Sequence, residues 1–182
     1  MIGIAHEVDP ADIDESPRPG ESDTGHTLRL ATEKGLAVSA RHPDALVIAA
    51  DTIVVVDGRI FGKPVDEADA RRMLRVLSGR THVVHTAVAV VRDAGRRVES
   101  KVESTRVTFR DLNDSEIADY VATGEPMDKA GAYGIQGYGA TIVERVDGDY
   151  FTVMGLALRR LVSLLEQVGV AYRFHALEAD PA

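Results

Sequence analysis

The stretch Leu46-Val47-Ile48-Ala49-Ala50-Asp51-Thr52-Ile53-Val54-Val55-Val56, followed by Asp57-Gly58 and Arg59-Ile60-Phe61, decides the fold. Its first part is apolar and β-branched almost throughout, the pattern of a central strand buried on both faces. Asp57-Gly58 supplies a hairpin turn, and Arg59 to Phe61 return as a short strand. One residue breaks the apolar run. An isolated carboxylate at Asp51 would cost on the order of several kcal/mol unless it were neutralised or its pKa shifted. A metal ion or a lysine nearby removes that cost, and both suit phosphate chemistry. An acid on a polar strand face, satisfied by Thr52 or backbone amides, is the equal alternative.

Working outward, residues Asp9 to Thr27 are rich in Pro, Gly, Asp and Ser and read as an irregular connection. Thr27 to Ala40 has helical spacing in Leu28, Leu30, Ala31, Leu36 and Ala37, despite Gly35. After the hairpin, Asp66 is the N-cap of a helix whose Ala70, Met73, Leu74 and Leu77 form one buried stripe, with Gly79 past its end. Thr81 to Arg92 is a strand, turned by Asp93 to Arg97 into a partner, Val98 to Arg110. The partner's alternation changes phase near Ser104-Thr105, which predicts a bulge. Asn113 and Glu116 make a capping box for a helix carrying Ile117, Tyr120 and Val121. A glycine-rich loop spans Gly124 to Gly139, Ala140 to Val146 reads as a strand, and Asp147-Gly148 as another hairpin turn. A last helix presents Leu158, Leu161, Val162, Leu165 and Val168, and Gly169 stops it. Residues 1–169 thus form a single domain and 170–182 a frayed tail. Interspersed helices, strands and hairpins predict an α/β protein with a mixed sheet.

Composition narrows the function. The 182 residues carry a net charge of −8 with a pI near 5.2, the wrong sign for a non-specific nucleic-acid binder. No apolar run reaches the roughly 20 residues of a membrane helix, and no signal pattern opens the chain, so a cytoplasmic protein without a membrane partner is expected. The absence of cysteine excludes disulfides, thiolate nucleophiles and Cys-based zinc sites. An acidic protein that handles a polyanion must place its few cations locally or recruit metal.

Three further features bear on that requirement. Lys63 lies in Phe61-Gly62-Lys63-Pro64, and the hairpin puts it on a strand paired with the one bearing Asp51; a plain surface lysine is the bland reading. Asp128-Lys129-Ala130-Gly131-Ala132-Tyr133-Gly134-Ile135-Gln136-Gly137 could bring backbone N–H groups and a cation to phosphates, with Gln136 offering both a donor and an acceptor to a base or sugar. It matches neither a Walker loop nor a dinucleotide fingerprint, and a connecting turn is its alternative. Asp12, Asp14 and Glu15 could supply hard oxygen ligands to Mg²⁺, though solvated loop acids are the commoner case. His6, His26, His42, His82, His85 and His175 show no metal-ligand spacing and are assigned to structure or surface.

Taken together and in order, Asp12-Ile13-Asp14-Glu15, Ala50-Asp51-Thr52, Gly62-Lys63-Pro64, Ser78-Gly79-Arg80-Thr81-His82, Gly124-Glu125-Pro126, the Asp128 to Gly137 loop, Gly148-Asp149-Tyr150 and Val153-Met154-Gly155-Leu156 resemble the Maf family over about residues 3 to 168. The resemblance implies an ITPase-like fold, an elongated mixed sheet flanked by helices, with two lobes and a central cleft. It implies a nucleoside triphosphate pyrophosphatase that uses a divalent cation, Mg²⁺ or Mn²⁺, held by Glu15 and Asp51. Asp51 would be the proton acceptor, with Glu15 and Lys63 catalytic, and Thr52, Gln136, Lys34 and Lys129 binding the substrate. The Gly134-Ile135-Gln136-Gly137 form of the loop looks like the branch that prefers dTTP and UTP, and a homodimer is implied.

Family members also begin with a strand, a Ser-x-Ser-Pro-Arg-Arg loop and a helix that find no counterpart here; Met1-Ile2-Gly3-Ile4 corresponds to the segment just after that helix. Arg18 follows Pro17 but lies downstream of Glu15, so the family arginine's role does not transfer to it. Ala157 stands where Pro usually follows Gly-Leu. The expectation is a start at an internal methionine of a complete, active enzyme. The alternative is a truncated, weakly active or non-catalytic nucleotide-binding regulator of cell division.

Overall fold

A computed structural model describes residues 2–174 and 176–179. Helix α1 spans Asp23–Arg41, so it starts within the stretch expected to be irregular; Ser22 caps it by accepting from Gly25 N at 3.1 Å. Strands β1 (Val47–Val56) and β2 (Arg59–Phe61) pair antiparallel through Asp57-Gly58, with Val54 opposite Phe61 and Val56 opposite Arg59. Helix α2 is Glu67–Leu77, and Asp66 caps it by accepting from Asp69 N at 2.8 Å. Strands β3 (Thr81–Arg92) and β4 (Arg97–Phe109) follow, then α3 (Asp114–Ala122) with the capping box of Asn113 and Glu116. Short 3₁₀ turns fill Glu125–Asp128, Ala130–Ala132 and Gly137–Thr141, so the next strand, β5, begins at Val143 and ends at Asp147.

Asp147-Gly148 does not open a second hairpin. Asp149 accepts from Phe151 N at 2.9 Å and starts the one-turn helix α4 (Tyr150–Val153); an Asp side chain that can close a turn can equally cap a helix. Helix α5 is Leu158–Gln167. The expected frayed tail forms a small hairpin, β6 (Val170–Tyr172) with β7 (Leu177–Ala179). Five strands form one sheet in the order β2-β1-β3-β4-β5, antiparallel at β1–β2 and β4–β5. Strand β4 shifts register against β5 at Thr108/Phe109.

The chain divides into two compact units. The first comprises the chain up to Asp51, Ala87–Val102 and the chain from Leu156 onward. In it, Val88 and Val90 pack with Leu161, Leu164 and Leu165 of α5 and with Val168, its C-cap; Leu164 is buried where the sequence pointed to Val162. Helix α1 lies close on Ala87 and Ala89, and a Cβ on Gly35 would stand 2.8 Å from Val91 Cγ2. Gly35 therefore trades about 1 kcal/mol of helix propensity for close approach.

The second unit comprises Thr52–Thr86 and Glu103–Gly155. Its core joins Val54, Met73, Leu74, Leu77, Phe109, Ile117 and Tyr133. His82, Phe109 and Tyr133 meet edge to face with centroids 4.7–5.3 Å apart.

Candidate active site

In the first unit, α1 buries Thr27, Leu30, Ala31 and Gly35 along one stripe. Lys34, four residues after Leu30, extends from the same side. Its Nζ donates to Asp51 Oδ1 at 2.7 Å and stands 2.8 Å from Glu15 Oε1. Lysine thus supplies the compensation that the buried acid requires. Burial alone would lower the Lys34 pKa, but its bonds to Asp51 and Glu15 outweigh that and hold it above the ordinary lysine value. Asp51 is only 8% exposed, and its second oxygen, Oδ2, is buried without a hydrogen-bond partner among the described residues. A buried, unpaired carboxylate oxygen is costly unless it serves a ligand, a cation or a proton.

Of the acidic segment, only Glu15 turns to this lysine. Asp12 and Asp14 are exposed, and Asp14 accepts from Ser16 N within its own loop. Among the described residues no group of three or more His, Asp or Glu could hold a metal. Two carboxylates on one ammonium nevertheless fit a Mg²⁺-type cation, which commonly takes one or two carboxylates and completes its shell with substrate phosphates and water. Glu15, 57% exposed, and the Asp51 carboxylate are the donors available for that.

In the second unit, Thr52 Oγ1 lies 2.8 Å from Thr86 Oγ1, and Thr86 donates to the Thr152 carbonyl at 2.6 Å. Lys63 is exposed and lies past β2, whose pairing ends with Phe61 opposite Val54, so the hairpin register does not extend to it. Its charge contributes to holding the Asp128 carboxyl below the usual range, chiefly the work of Lys129. Lys129 Nζ donates to Asp128 Oδ1 at 2.6 Å and to the Glu125 carbonyl at 3.0 Å.

The glycine-rich loop is built around Glu125. Its Oε1 accepts from Gly139 N and from the Tyr120 hydroxyl, both at 2.8 Å, and its Oε2 accepts from Tyr138 N at 2.9 Å. Tyr120 in turn accepts from Gly134 N at 3.1 Å. Burial pushes the Glu125 carboxyl up, but these three donors prevail and hold it below the ordinary value. The packing demands glycine: a Cβ on Gly139 would lie 2.1 Å from the Gly134 carbonyl, and one on Gly137, whose φ is +66°, 2.3 Å from Glu125 Oε2. Gln136 is thereby held at an outward bend, exposed.

Neither Thr86 nor the Tyr120–Glu125 pair stands out as a site residue in the sequence. Glu125 carries a signal, since Gly124-Glu125-Pro126 belongs to the family motifs, whereas Thr86 is one threonine in a strand. Of the histidines, His26 bonds Glu21 and Arg29, His42 bonds Asp9, His85 bonds Ser104 and His6 bonds its own backbone at Ile4. His82 meets Phe109 and Tyr133 edge to face in the core; His175 lies outside the described residues.

The family model for Maf-like proteins matches residues 1–168. A protein of Koribacter versatilis named dTTP/UTP pyrophosphatase is 49% identical over 164 residues, covering 90% of this chain and 83% of its own. Proteins of the same name from Geobacter sulfurreducens and Shewanella denitrificans are 50% and 52% identical, covering 92% and 85% of this chain and 87% and 78% of theirs. A motif order that carries through to this extent leaves one assignment: the chain belongs to the Maf family.

Proposed function

We propose that the chain is a nucleoside triphosphate pyrophosphatase that hydrolyses dTTP and UTP to the monophosphate and pyrophosphate. The observation that carries this reading is Asp51: a strand-borne carboxylate with one oxygen clamped by Lys34 and the other buried and unpaired among the described residues. The relatives' names supply the reaction class and the two nucleotides.

In the proposed mechanism a water oxygen bonds to the α-phosphorus as the bond to the bridging oxygen breaks. Asp51 Oδ2 takes the proton from that water. Lys34 fixes the carboxylate through Oδ1 and remains cationic while it does so. Charge grows on the departing pyrophosphate, and Lys63, exposed on the surface, is available to meet it. Lys129 binds substrate phosphate from the loop, and Thr52 and Gln136 read the base. Glu15 and Asp51 would hold a divalent ion, which when bound would lower the pKa of the water and neutralise phosphate charge. Net charge −8 disfavours nucleic acid and anionic membranes as partners. A homodimer rests on the family resemblance alone, and sedimentation tests the assembly; the cytoplasmic expectation rests on composition.

The direct experiment incubates the protein with dTTP or UTP and Mg²⁺ or Mn²⁺, then with excess chelator, and identifies the product. Pyrophosphate and monophosphate are expected, with loss of turnover in chelator. Release of orthophosphate, or full activity in chelator, contradicts the proposal.

A further inference from the structure

Thr86 is fully buried, and its Oγ1 takes part in two short contacts. At 2.6 Å it donates to the Thr152 carbonyl, which is only an acceptor. A threonine hydroxyl has a single proton, so the 2.8 Å contact to Thr52 Oγ1 must be made with the Thr52 proton. Thr52 has then spent its only donor and keeps only lone pairs. Thr52 itself is half-buried, and Gly155, which carries no side chain, lies beside it: a Cβ there would stand 3.6 Å from Thr52 Oγ1.

We infer that Thr86 is a specificity-positioning residue: by donating its one hydrogen bond to the Thr152 carbonyl it makes Thr52 an acceptor only, which selects a pyrimidine with a ring N3–H. The inference rests on the proposed action on dTTP and UTP. On the uracil or thymine edge the only donor is N3–H, flanked by two carbonyls, so an obligate acceptor has one partner there. Cytosine's one donor, its 4-amino group, stands where uracil and thymine carry the O4 carbonyl. Its N3 offers a lone pair, so an acceptor aligned with N3–H meets cytosine oxygen against nitrogen. A rotatable hydroxyl would serve either base; one with its proton already committed serves one. Thr86 touches no substrate and acts through Thr52.

The test compares kcat/KM for UTP, dTTP and CTP in the unmodified protein, Thr86→Val and Thr86→Ser. Thr86→Val frees the Thr52 proton, and the UTP:CTP ratio is expected to fall at least about fivefold, the low end of what one mispaired buried group confers. Thr86→Ser keeps the hydroxyl and is expected to hold the ratio within about twofold, although it loses a packed methyl. If circular dichroism shows Thr86→Val unfolded, Thr86→Ala carries the same expectation, because a water entering the space has two protons and no longer dictates the polarity of Thr52. An unchanged ratio in the valine or alanine variant, or equal loss in the serine variant, overturns the inference. An unmodified protein that turns over neither UTP nor dTTP instead overturns the proposed function, and the inference with it.

Discussion

Replacing Lys34 with Met keeps the length of the side chain and removes its charge. Asp51, 8% exposed and already carrying one oxygen unpaired among the described residues, then loses the partner of the other. Removing one member of a fully buried ion pair costs about 3–5 kcal/mol. Here the Lys34 side chain is 20% exposed and Glu15 57%, so water reaches this end of the pair. That lowers the expectation to about 2–3 kcal/mol. In a chain of 182 residues such a loss shifts Tm by roughly 4–12 °C. The cost must also belong to the uncompensated carboxylate. In an Asp51→Asn background, Lys34→Met should therefore cost about 1 kcal/mol less, or better. Urea or thermal melts of the four proteins give this coupling. Additive losses, with coupling below about 0.5 kcal/mol, would show that Lys34 does not hold Asp51 and would refute the reasoning.

Gln136→Glu should weaken use of UTP and dTTP by about 5- to 150-fold while Tm moves little, because a carboxylate can only accept and meets the base carbonyls unfavourably; an unchanged nucleotide ranking in steady-state assays counts against it. Gly139→Ala should cost about 2 kcal/mol or more in urea melts, since the clash with the Gly134 carbonyl can be relieved only by moving the loop backbone. Burial holds the His82 imidazole down at about 4, against an ordinary value of 6.5. Between those values the unfolded chain binds a proton that the folded one does not, so stability is lost as pH falls through this window, by up to about 3 kcal/mol. Urea melts from pH 7 to pH 4 should show a shallower loss for His82→Leu than for the unmodified protein.

The features legible in the sequence were those that depend on near neighbours. The Asp66 cap, the Asn113–Glu116 capping box and the stripe of α2 are set within a few residues, and they form as the spacing requires. Asp51 stood out because an acid in an apolar strand contradicts its surroundings. Its compensation by lysine was one of two options that the strand left open, and Lys34 entered only through the family resemblance. The contact depends on where α1 packs, 17 residues away in the chain, which no local rule specifies. Local signals also competed. Asp-Gly pairs make hairpins, yet at Asp147-Gly148 the next aspartate captured the backbone and began a helix. Val162 and Leu164 differ by two positions on α5, and it is Leu164 that joins the core. Thr86 was invisible because a threonine in a strand is ordinary, and its proton acquires a fixed direction only beside the Thr152 carbonyl.

The central claim is that Asp51 accepts the proton of the attacking water. Its most direct test is kcat for UTP and dTTP in Asp51→Asn, with pyrophosphate as the measured product and circular dichroism as the check on folding. The amide preserves shape and cannot take the proton, so turnover should fall about 100-fold or more in a folded protein. A folded Asp51→Asn variant that keeps more than about a tenth of the activity would contradict the claim.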